Sequence, residues 1–306
     1  MADMEKVGKI TLDYNAYSGT DLYSDGDVED ELLELAKSGQ TYEEMMEAHC
    51  KWPVVYHFSP ARETIMDWFP IGEDASVLEI GSGCGAITGV LAEKAGKVSC
   101  IELSKKRSLI NAYRHKEMEN IEIHVGNFMD IYGNLEEKFD VITLIGVLEY
   151  ADSYVGGEEP AKRFLNIVRT LLKPNGKIVI AIENKYGLKY WAGCKEDHLG
   201  MFYKGLEGYT KEDGVRTYAR HELENIVNAC GLEARFYYPY PDYKFPTMIY
   251  TEEYLPKTGE LSNNIRNFDA DRVINFDETR VFDHIVEDGL FPVFSNSFLL
   301  VLEEGK

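Results

Sequence analysis

The sequence predicts an α/β protein built on a parallel, doubly wound sheet, and three observations carry that reading. Short apolar stretches at 76–80, 97–102, 121–125, 139–145 and 176–183 read as strands covered on both faces, because a buried parallel strand is continuously apolar rather than alternating. Helical stretches at 86–95, 105–118 and 160–172 separate most of them, and helical crossovers between short strands imply parallel pairing. The first of these strands, Val77-Leu78-Glu79-Ile80, runs straight into Gly81-Ser82-Gly83-Cys84-Gly85-Ala86 and then a helix start.

Ahead of that core, residues 1–30 mix Tyr14, Tyr17 and Tyr23 with Asp and Gly without clear periodicity, which predicts an irregular or mobile arm. Residues 28–37 read as a short amphipathic helix, with Leu32, Leu33, Leu35 and Ala36 apolar. A second helix is expected over 42–51, with Thr41 as N-cap and Glu44 closing a capping box. Ser59 followed by Pro60 is a further helix start, running to about Phe69 and ending before Pro70-Ile71-Gly72.

Beyond the fifth strand the chain departs from simple alternation. Residues 183–217 form a long connection rich in aromatic side chains and glycine, and a loop of that length is uncommon unless functional. Residues 217–230 return to a helix ended by Gly231; 232–240 and 297–302 read as a sixth and a seventh strand. The stretch between them, with Phe245, Tyr250, Tyr254 and Leu255 and a helix over 281–286, predicts a second inserted cap.

The glycine loop carries the first functional reading. Glycines remove the Cβ atoms that would hold a ligand off the backbone, and the following helix turn offers free N–H groups to it. About twenty residues on, the second core strand ends in Glu102, an acid placed to accept hydrogen bonds from a ribose diol. This is a nucleoside pocket at the carboxyl edge of the sheet. Gly81, Gly83 and Ala86 satisfy the dinucleotide pattern G-x-G-x-x-G/A, whereas Glu79, Gly81, Gly83 and Gly85 satisfy acid-x-G-x-G-x-G.

The rest of the chain separates the two patterns. Glu102-Leu103-Ser104, Gly126-Asn127-Phe128, Phe139-Asp140-Val141-Ile142 leading to Gly146-Val147-Leu148-Glu149-Tyr150, and Leu171-Leu172-Lys173-Pro174-Asn175-Gly176-Lys177 accompany the glycine loop. With these pieces the sequence resembles the class I S-adenosylmethionine (SAM)-dependent methyltransferases over roughly residues 55–240 and the last strand. The resemblance implies a Rossmann-like seven-stranded methyltransferase sheet whose last strand is antiparallel, with N-terminal helices and two cap insertions. It implies a core at 55–240 and 295–306, an N-terminal arm and helical lid at 1–54, and substrate caps at 184–218 and 241–294. SAM is the implied cofactor and S-adenosylhomocysteine the product.

By the same resemblance, Asn127 and Phe128 flank adenine, although the family usually has an acid where Asn127 stands. Ile145 and Gly146 border the methyl group, with Leu103 beside Glu102. A helix ahead of the first core strand commonly borders the cofactor, which makes Arg62 a candidate for its carboxylate, with Tyr56 nearby. A surface pairing of Arg62 with Glu63 or Asp67 is the alternative.

Charge bears on the acceptor. The net charge is −21, and residues 1–50 hold thirteen Asp/Glu against three Lys/Arg, a surface that repels nucleic-acid phosphate and argues against DNA or a large RNA. No stretch reaches the length of a membrane span and residues 1–19 lack an apolar signal core. Five scattered cysteines with no C-x-x-C pair indicate neither a disulfide framework nor a zinc site, and point to a reducing cytoplasm.

Against that background, residues 183–221 hold seven Lys/Arg against six Asp/Glu. Arg216 is suited to grip a carboxylate through two parallel N–H bonds, and Lys185 and Lys189 offer point charges. Asn184, Lys185, Tyr186, Lys189 and Tyr190 are the expected acceptor wall, with His198, Arg216 and Tyr209 as the catalytic set. His198 is the proton acceptor if a hydroxyl is methylated, with Asp197 to orient it, whereas a carboxylate needs only positioning.

Residues 183–193, Glu196-Asp197-His198, Glu207-Gly208-Tyr209, Arg216 and residues 239–244 also resemble a narrower bacterial group. It includes methyltransferases associated with glycosyltransferases, and is similar to the enzymes that methylate the C-terminal carboxylate of lanthipeptides. The implied acceptor is a peptide carboxylate in natural-product biosynthesis; a hydroxyl of a glycan or small metabolite, or a non-catalytic cofactor-binding protein, stands as the alternative.

Overall fold

The computed structural model describes residues 3–21, 24, 26–264 and 272–305. The chain divides into two compact units, Met1–Leu144 with Leu171–Lys177, and Ile145–Thr170 with Ile178–Lys306.

The first unit carries β1 (Met4–Val7), β2 (Ile10–Ala16), β3 (Ser76–Ile80), β4 (Lys97–Glu102), β5 (Ile121–Gly126) and β6 (Phe139–Ile145), in the order β1-β2-β5-β4-β3-β6. From β2 to β6 all neighbours are parallel. Every residue of β3 is buried, which is why its sequence shows no alternation. Glu79 sits opposite Cys100 on one side and Thr143 on the other.

The N-terminus is not the irregular or mobile arm expected. β1 and β2 form an antiparallel hairpin, and β2 adds in parallel to β5. Ile10, Leu12 and Tyr14 alternate with polar residues and turn inward, where all three are buried. Tyr14 and Tyr17 stack edge to face; Tyr23 lies outside the described residues.

The two expected N-terminal helices form at Val28–Ser38 and Tyr42–His49, and the second is closed by reciprocal Thr41–Glu44 hydrogen bonds. Their apolar faces enclose Leu32, Leu35, Ala36 and Met45, packed with Val54, Phe58, Ile110 and Cys84. Cys84 thus pins the glycine loop to the helical layer. The helix expected from Ser59 to Phe69 is broken: Ser59 accepts from the Ala61 N–H to start a single 3-10 turn, Pro60–Arg62, and a separate short helix follows at Thr64–Asp67. A helix at Trp52–Phe58, with Pro53 in its first turn, precedes them.

The second unit carries β7 (Leu172–Glu183, whose first residues belong to the first unit), β8 (Leu232–Tyr240), β9 (Met248–Thr251) and β10 (Ser297–Glu304). Their order is β7-β10-β8-β9 and every pairing is antiparallel. The seven expected strands are all present, the last one antiparallel to its neighbours; β1, β2 and β9 are additional. Within the insert between β8 and β10, the Glu278–Glu287 helix forms where 281–286 suggested one, started by Asp277 as N-cap. Among the described residues, no helix is long and apolar enough to cross a membrane.

Candidate functional site

In the first unit, β3 ends at Ile80 and the chain turns through Gly81, Gly83 and Gly85, each with positive φ (75°, 53° and 77°). These backbone angles strain any residue with a Cβ, so the sequence must place glycine there. The amides of Gly81 and Ser82 reach the carbonyl of Ile101, tying the loop to the end of β4.

The next residue, Glu102, is 5 % exposed. Its Oε2 accepts the N–H of Gly83 at 2.7 Å and its Oε1 the N–H of Ser104 at 2.9 Å. Burial raises the pKa of this carboxyl, against the pull of Arg107 and of those backbone donors. Half-buried Leu103 follows it.

The residues here fit a nucleoside cofactor. A Cβ built on Gly83 meets nothing within 4 Å, so the loop has open space at its middle glycine. Glu102 beside it keeps lone pairs after its two backbone bonds.

The first and third motif positions act differently. Glu79 is buried and accepts from the Thr88 hydroxyl at 2.6 Å, and burial pushes its pKa up to about 7. Asn111 donates to Thr88 in turn. A Cβ on Gly85 would lie 2.4 Å from Asn111 Oδ1, so this glycine lets the Lys105–Arg114 helix approach the loop.

The first unit also holds the expected cofactor residues Tyr56, Arg62, Asn127 and Phe128. Arg62 is buried with its guanidinium 4.5 Å from the Tyr56 ring centroid, which sets aside the solvent-facing alternative. Asn127 Oδ1 accepts from the Met129 N–H at 3.0 Å, capping the short helix after β5, and Phe128 stacks on Tyr132. Near this turn a cavity of about 400 Å³ opens, lined by Asp13, Tyr17, His124 and Asp130 among others.

Two groups escaped the sequence reading. Arg114 donates to the carbonyls of His57 and Cys84, joining the Trp52–Phe58 helix to the glycine loop. Asp21 accepts from the amides of Lys105 and Lys106 and from Ser104 Oγ; burial opposes its ionisation, but these donors hold its pKa below the usual value. Both act through backbone groups distant in sequence, and no spacing reveals them.

In the second unit, Ile145 and Gly146 begin the segment that leaves β6. Gly146 has φ 70°, its N–H donates to the Ala181 carbonyl, and a Cβ there would lie 2.9 Å from the Tyr243 hydroxyl. Three residues on, Glu149 is 1 % exposed, so it does not face solvent. His198 Nε2 lies 3.5 Å from Glu149 Oε1 and 3.9 Å from Glu183 Oε2, and His198 Nδ1 bonds Glu196 Oε1 at 3.0 Å.

Asp197 does not orient His198, contrary to expectation. Its carboxylate is taken by Lys189, Lys244 and the Tyr190 hydroxyl, and the side chain that holds the imidazole is Glu196. The Tyr209 hydroxyl donates to Glu196 at 3.1 Å and lies 2.8 Å from Thr217 Oγ1, so Tyr209 joins this cluster. Burial opposes a charge on His198, but Glu183, Glu149 and Glu196 outweigh it and hold its pKa well above the ordinary value. Burial raises the pKa of Glu149.

The expected acceptor wall is largely committed elsewhere. Lys189 is buried between Asp197 and Asp242, Lys185 pairs with Glu222 at 2.8 Å, and Asn184 donates to the Val293 and Ser295 carbonyls. Lys189 and Lys185 are therefore not the unpaired point charges the sequence suggested. Tyr186 is half-buried beside Lys185. Arg216 keeps a half-exposed guanidinium 3.3 Å from Asp152, while its N–H donates to the Glu149 carbonyl.

Comparison with known proteins bears on this arrangement. A family profile described as a methyltransferase domain matches residues 78–178, from β3 into β7. An uncharacterized methyltransferase of Staphylococcus carnosus is 31% identical over 163 residues, 52% of this chain and 70% of that protein. An rRNA adenine N-6-methyltransferase of Bacillus licheniformis is 39% identical over 83 residues, 27% of this chain and 29% of that protein. A SAM-dependent methyltransferase of Archaeoglobus fulgidus shares the fold with a TM-score of 0.50 at 12% identity, covering 87% of this chain and all of that one. With the glycine loop and Glu102 arranged as described, the chain belongs to the class I SAM-dependent methyltransferases, and its cofactor is S-adenosyl-L-methionine.

Proposed function

We propose that this methyltransferase acts on a hydroxyl oxygen of a small molecule or glycan. Bound SAM supplies an activated methyl group. The chain's own residues must then fix the acceptor oxygen, exclude water and take up its proton. The observation that carries the reading is Glu149 Oε2, a buried carboxylate oxygen without a hydrogen-bond partner, three residues beyond Gly146. Such an oxygen is costly unless something donates to it, and an acceptor hydroxyl does so. His198, clamped by Glu196, lies beside this carboxylate and positions it rather than serving as the base.

In this reading Gly81, Gly83, Gly85, Glu102 and Leu103 hold the nucleoside, with Tyr56, Arg62, Asn127 and Phe128 around it. Residues 184–218 and 241–294 cap the acceptor. The five free cysteines suit a reducing cytoplasm.

A peptide carboxylate acceptor, as in the lanthipeptide-like group, is the second reading. It is supported by the half-exposed Arg216 guanidinium. The neutralised Lys185 and Lys189 weaken it.

Mass spectrometry of reactions with SAM and a panel of hydroxyl- and carboxylate-bearing peptides, glycans and metabolites separates the two. A new methyl group that survives mild base is the expected result. Methylation seen only as a base-labile ester would overturn the hydroxyl reading, and cofactor binding without turnover on any acceptor would favour a non-catalytic protein.

A further inference from the structure

We propose that Glu149, Glu183 and His198 bind one divalent transition-metal cation of the zinc or cobalt kind. Each offers a ligand atom, and the three atoms lie within 4.8 Å of one another. The distances from His198 Nε2, 3.5 Å to Glu149 and 3.9 Å to Glu183, are long for a hydrogen bond. They approach the roughly 3.3 Å ligand–ligand edge of a tetrahedral site with bonds of about 2.0–2.1 Å.

Two further observations point to a ligand. Glu149 Oε2 and Glu183 Oε2 are both buried without a hydrogen-bond partner, and both residues are almost fully enclosed, at 1 % and 0 % exposed. Two such oxygens around one imidazole are expensive to bury without a donor, and a divalent cation that displaces the Nε2 proton would join all three groups.

The surroundings also match a metal site. His198 Nδ1 bonds Glu196, which accepts from the His198 and Leu199 amides and from Tyr209; this fixes the ring and turns Nε2 toward the glutamates. Lys244 holds Glu183 through Oε1 at 2.6 Å and leaves Oε2 toward His198. Charge points the same way. Glu149, Glu183, Glu196, Asp197 and Asp242 are five carboxylates linked to three basic side chains, His198, Lys189 and Lys244. The ligands come from the segment after β6, the end of β7 and the loop beyond, so no spacing in the sequence announces them.

A cation here would take the place of the direct contact between the acceptor hydroxyl and Glu149, with Glu149 and His198 as its ligands, and would itself lower the pKa of that hydroxyl and orient it. Only that consequence rests on the hydroxyl reading. Cation uptake is measured with no acceptor present, so the two ideas fail separately.

The test is calorimetric titration of the metal-stripped full chain with Zn²⁺, with Co²⁺ as a coloured substitute. One saturable Zn²⁺ per chain is expected, weakened about tenfold or more in Glu149→Gln and in His198→Gln. S-adenosylhomocysteine binding serves as the control for folding. No saturable uptake by the wild type, or uptake unchanged in both variants, overturns the site. If the variants do not fold, the Co²⁺ spectrum of the wild type decides: intense four-coordinate bands support the site, and weak bands of hydrated six-coordinate Co²⁺ sink it.

Discussion

The backbone N–H of Gly83 donates to Oε2 of Glu102 across 2.7 Å, linking the middle glycine of the loop to the acid that ends β4. One carboxylate therefore sets the loop shape and, in the proposed cofactor site, also receives the sugar hydroxyls. Replacing Glu102 with alanine removes both. Charge-assisted bonds contribute about 1.5–3 kcal/mol each, so S-adenosylhomocysteine affinity is expected to fall by about 10- to 100-fold. Isothermal titration reads this directly, and unchanged affinity would remove Glu102 from the cofactor wall.

The three motif glycines should separate by substitution. Gly85→Ala places a Cβ 2.4 Å from Asn111 Oδ1 and 2.9 Å from His115, at φ 77°. Backbone strain and overpacking add to an expected loss of about 2–5 kcal/mol in unfolding free energy. Gly83→Ala meets open space and suffers the unfavourable φ alone, about 1–2 kcal/mol, yet in the proposed cofactor site its methyl would intrude on the ligand. Urea unfolding and cofactor titration should rank the two variants in opposite orders.

The fold was legible where one segment carried its own signal. Continuous apolar runs marked β3, β4 and β6, and Thr41 with Glu44 marked a helix start that the structure reproduces. β2 gives no clear signal in the sequence although Ile10, Leu12 and Tyr14 alternate, because the flanking Gly, Asp and Ser residues dilute a pattern only seven residues long. The glycine loop and Glu102 lie within one βαβ segment, so the link between them could be read from the spacing. The acid–histidine cluster could not. Glu149 and Glu183 meet His198 only through folding, and the positive character of residues 183–221 vanishes once Lys185, Lys189 and Lys204 find carboxylates.

Glu79 gives stability a dependence on pH. Its carboxyl rises from an ordinary 4.5 to about 7 in the fold because it is buried, and so the folded protein prefers it protonated. Between those values the folded state holds the proton more tightly than the unfolded chain. Its contribution is therefore complete below about 4.5 and is lost as pH rises to about 7, by up to about 3 kcal/mol. Glu79→Gln cannot ionise, so unfolding measured from pH 4.5 to 7.5 should fall less steeply for the variant. Parallel curves would mean that Glu79 is ionised in the fold.

Arg107 and Glu29 form a buried ion pair, with Nε 2.7 Å from Oε1, between the Lys105–Arg114 and Val28–Ser38 helices. Ser24 also donates to that carboxylate. Arg107→Leu removes this partner of an enclosed carboxylate, and an expected cost of about 3–5 kcal/mol follows. Adding Glu29→Met removes the carboxylate as well and should recover part of the loss. A double variant as unstable as the sum of the two single ones would show that the pair is not coupled.

Arg216 decides between the two acceptor chemistries. Its N–H holds the Glu149 carbonyl, a bond that alanine keeps, whereas its guanidinium is half exposed beside Asp152. Arg216→Ala therefore deletes the cation without releasing the Glu149 backbone. With a carboxylate acceptor, losing a charge-assisted contact should raise KM by about 10- to 100-fold at unchanged S-adenosylhomocysteine affinity. A neutral hydroxyl acceptor gains no ion pair from the guanidinium, so its KM should hardly move. Glu149→Gln should do the reverse, lowering kcat for a hydroxyl, which needs its proton removed, and sparing a carboxylate, which is already ionised. Measured side by side on one acceptor of each kind, the two variants identify which group receives the methyl. A fall in cofactor affinity in Arg216→Ala would show that this residue serves the cofactor rather than the acceptor.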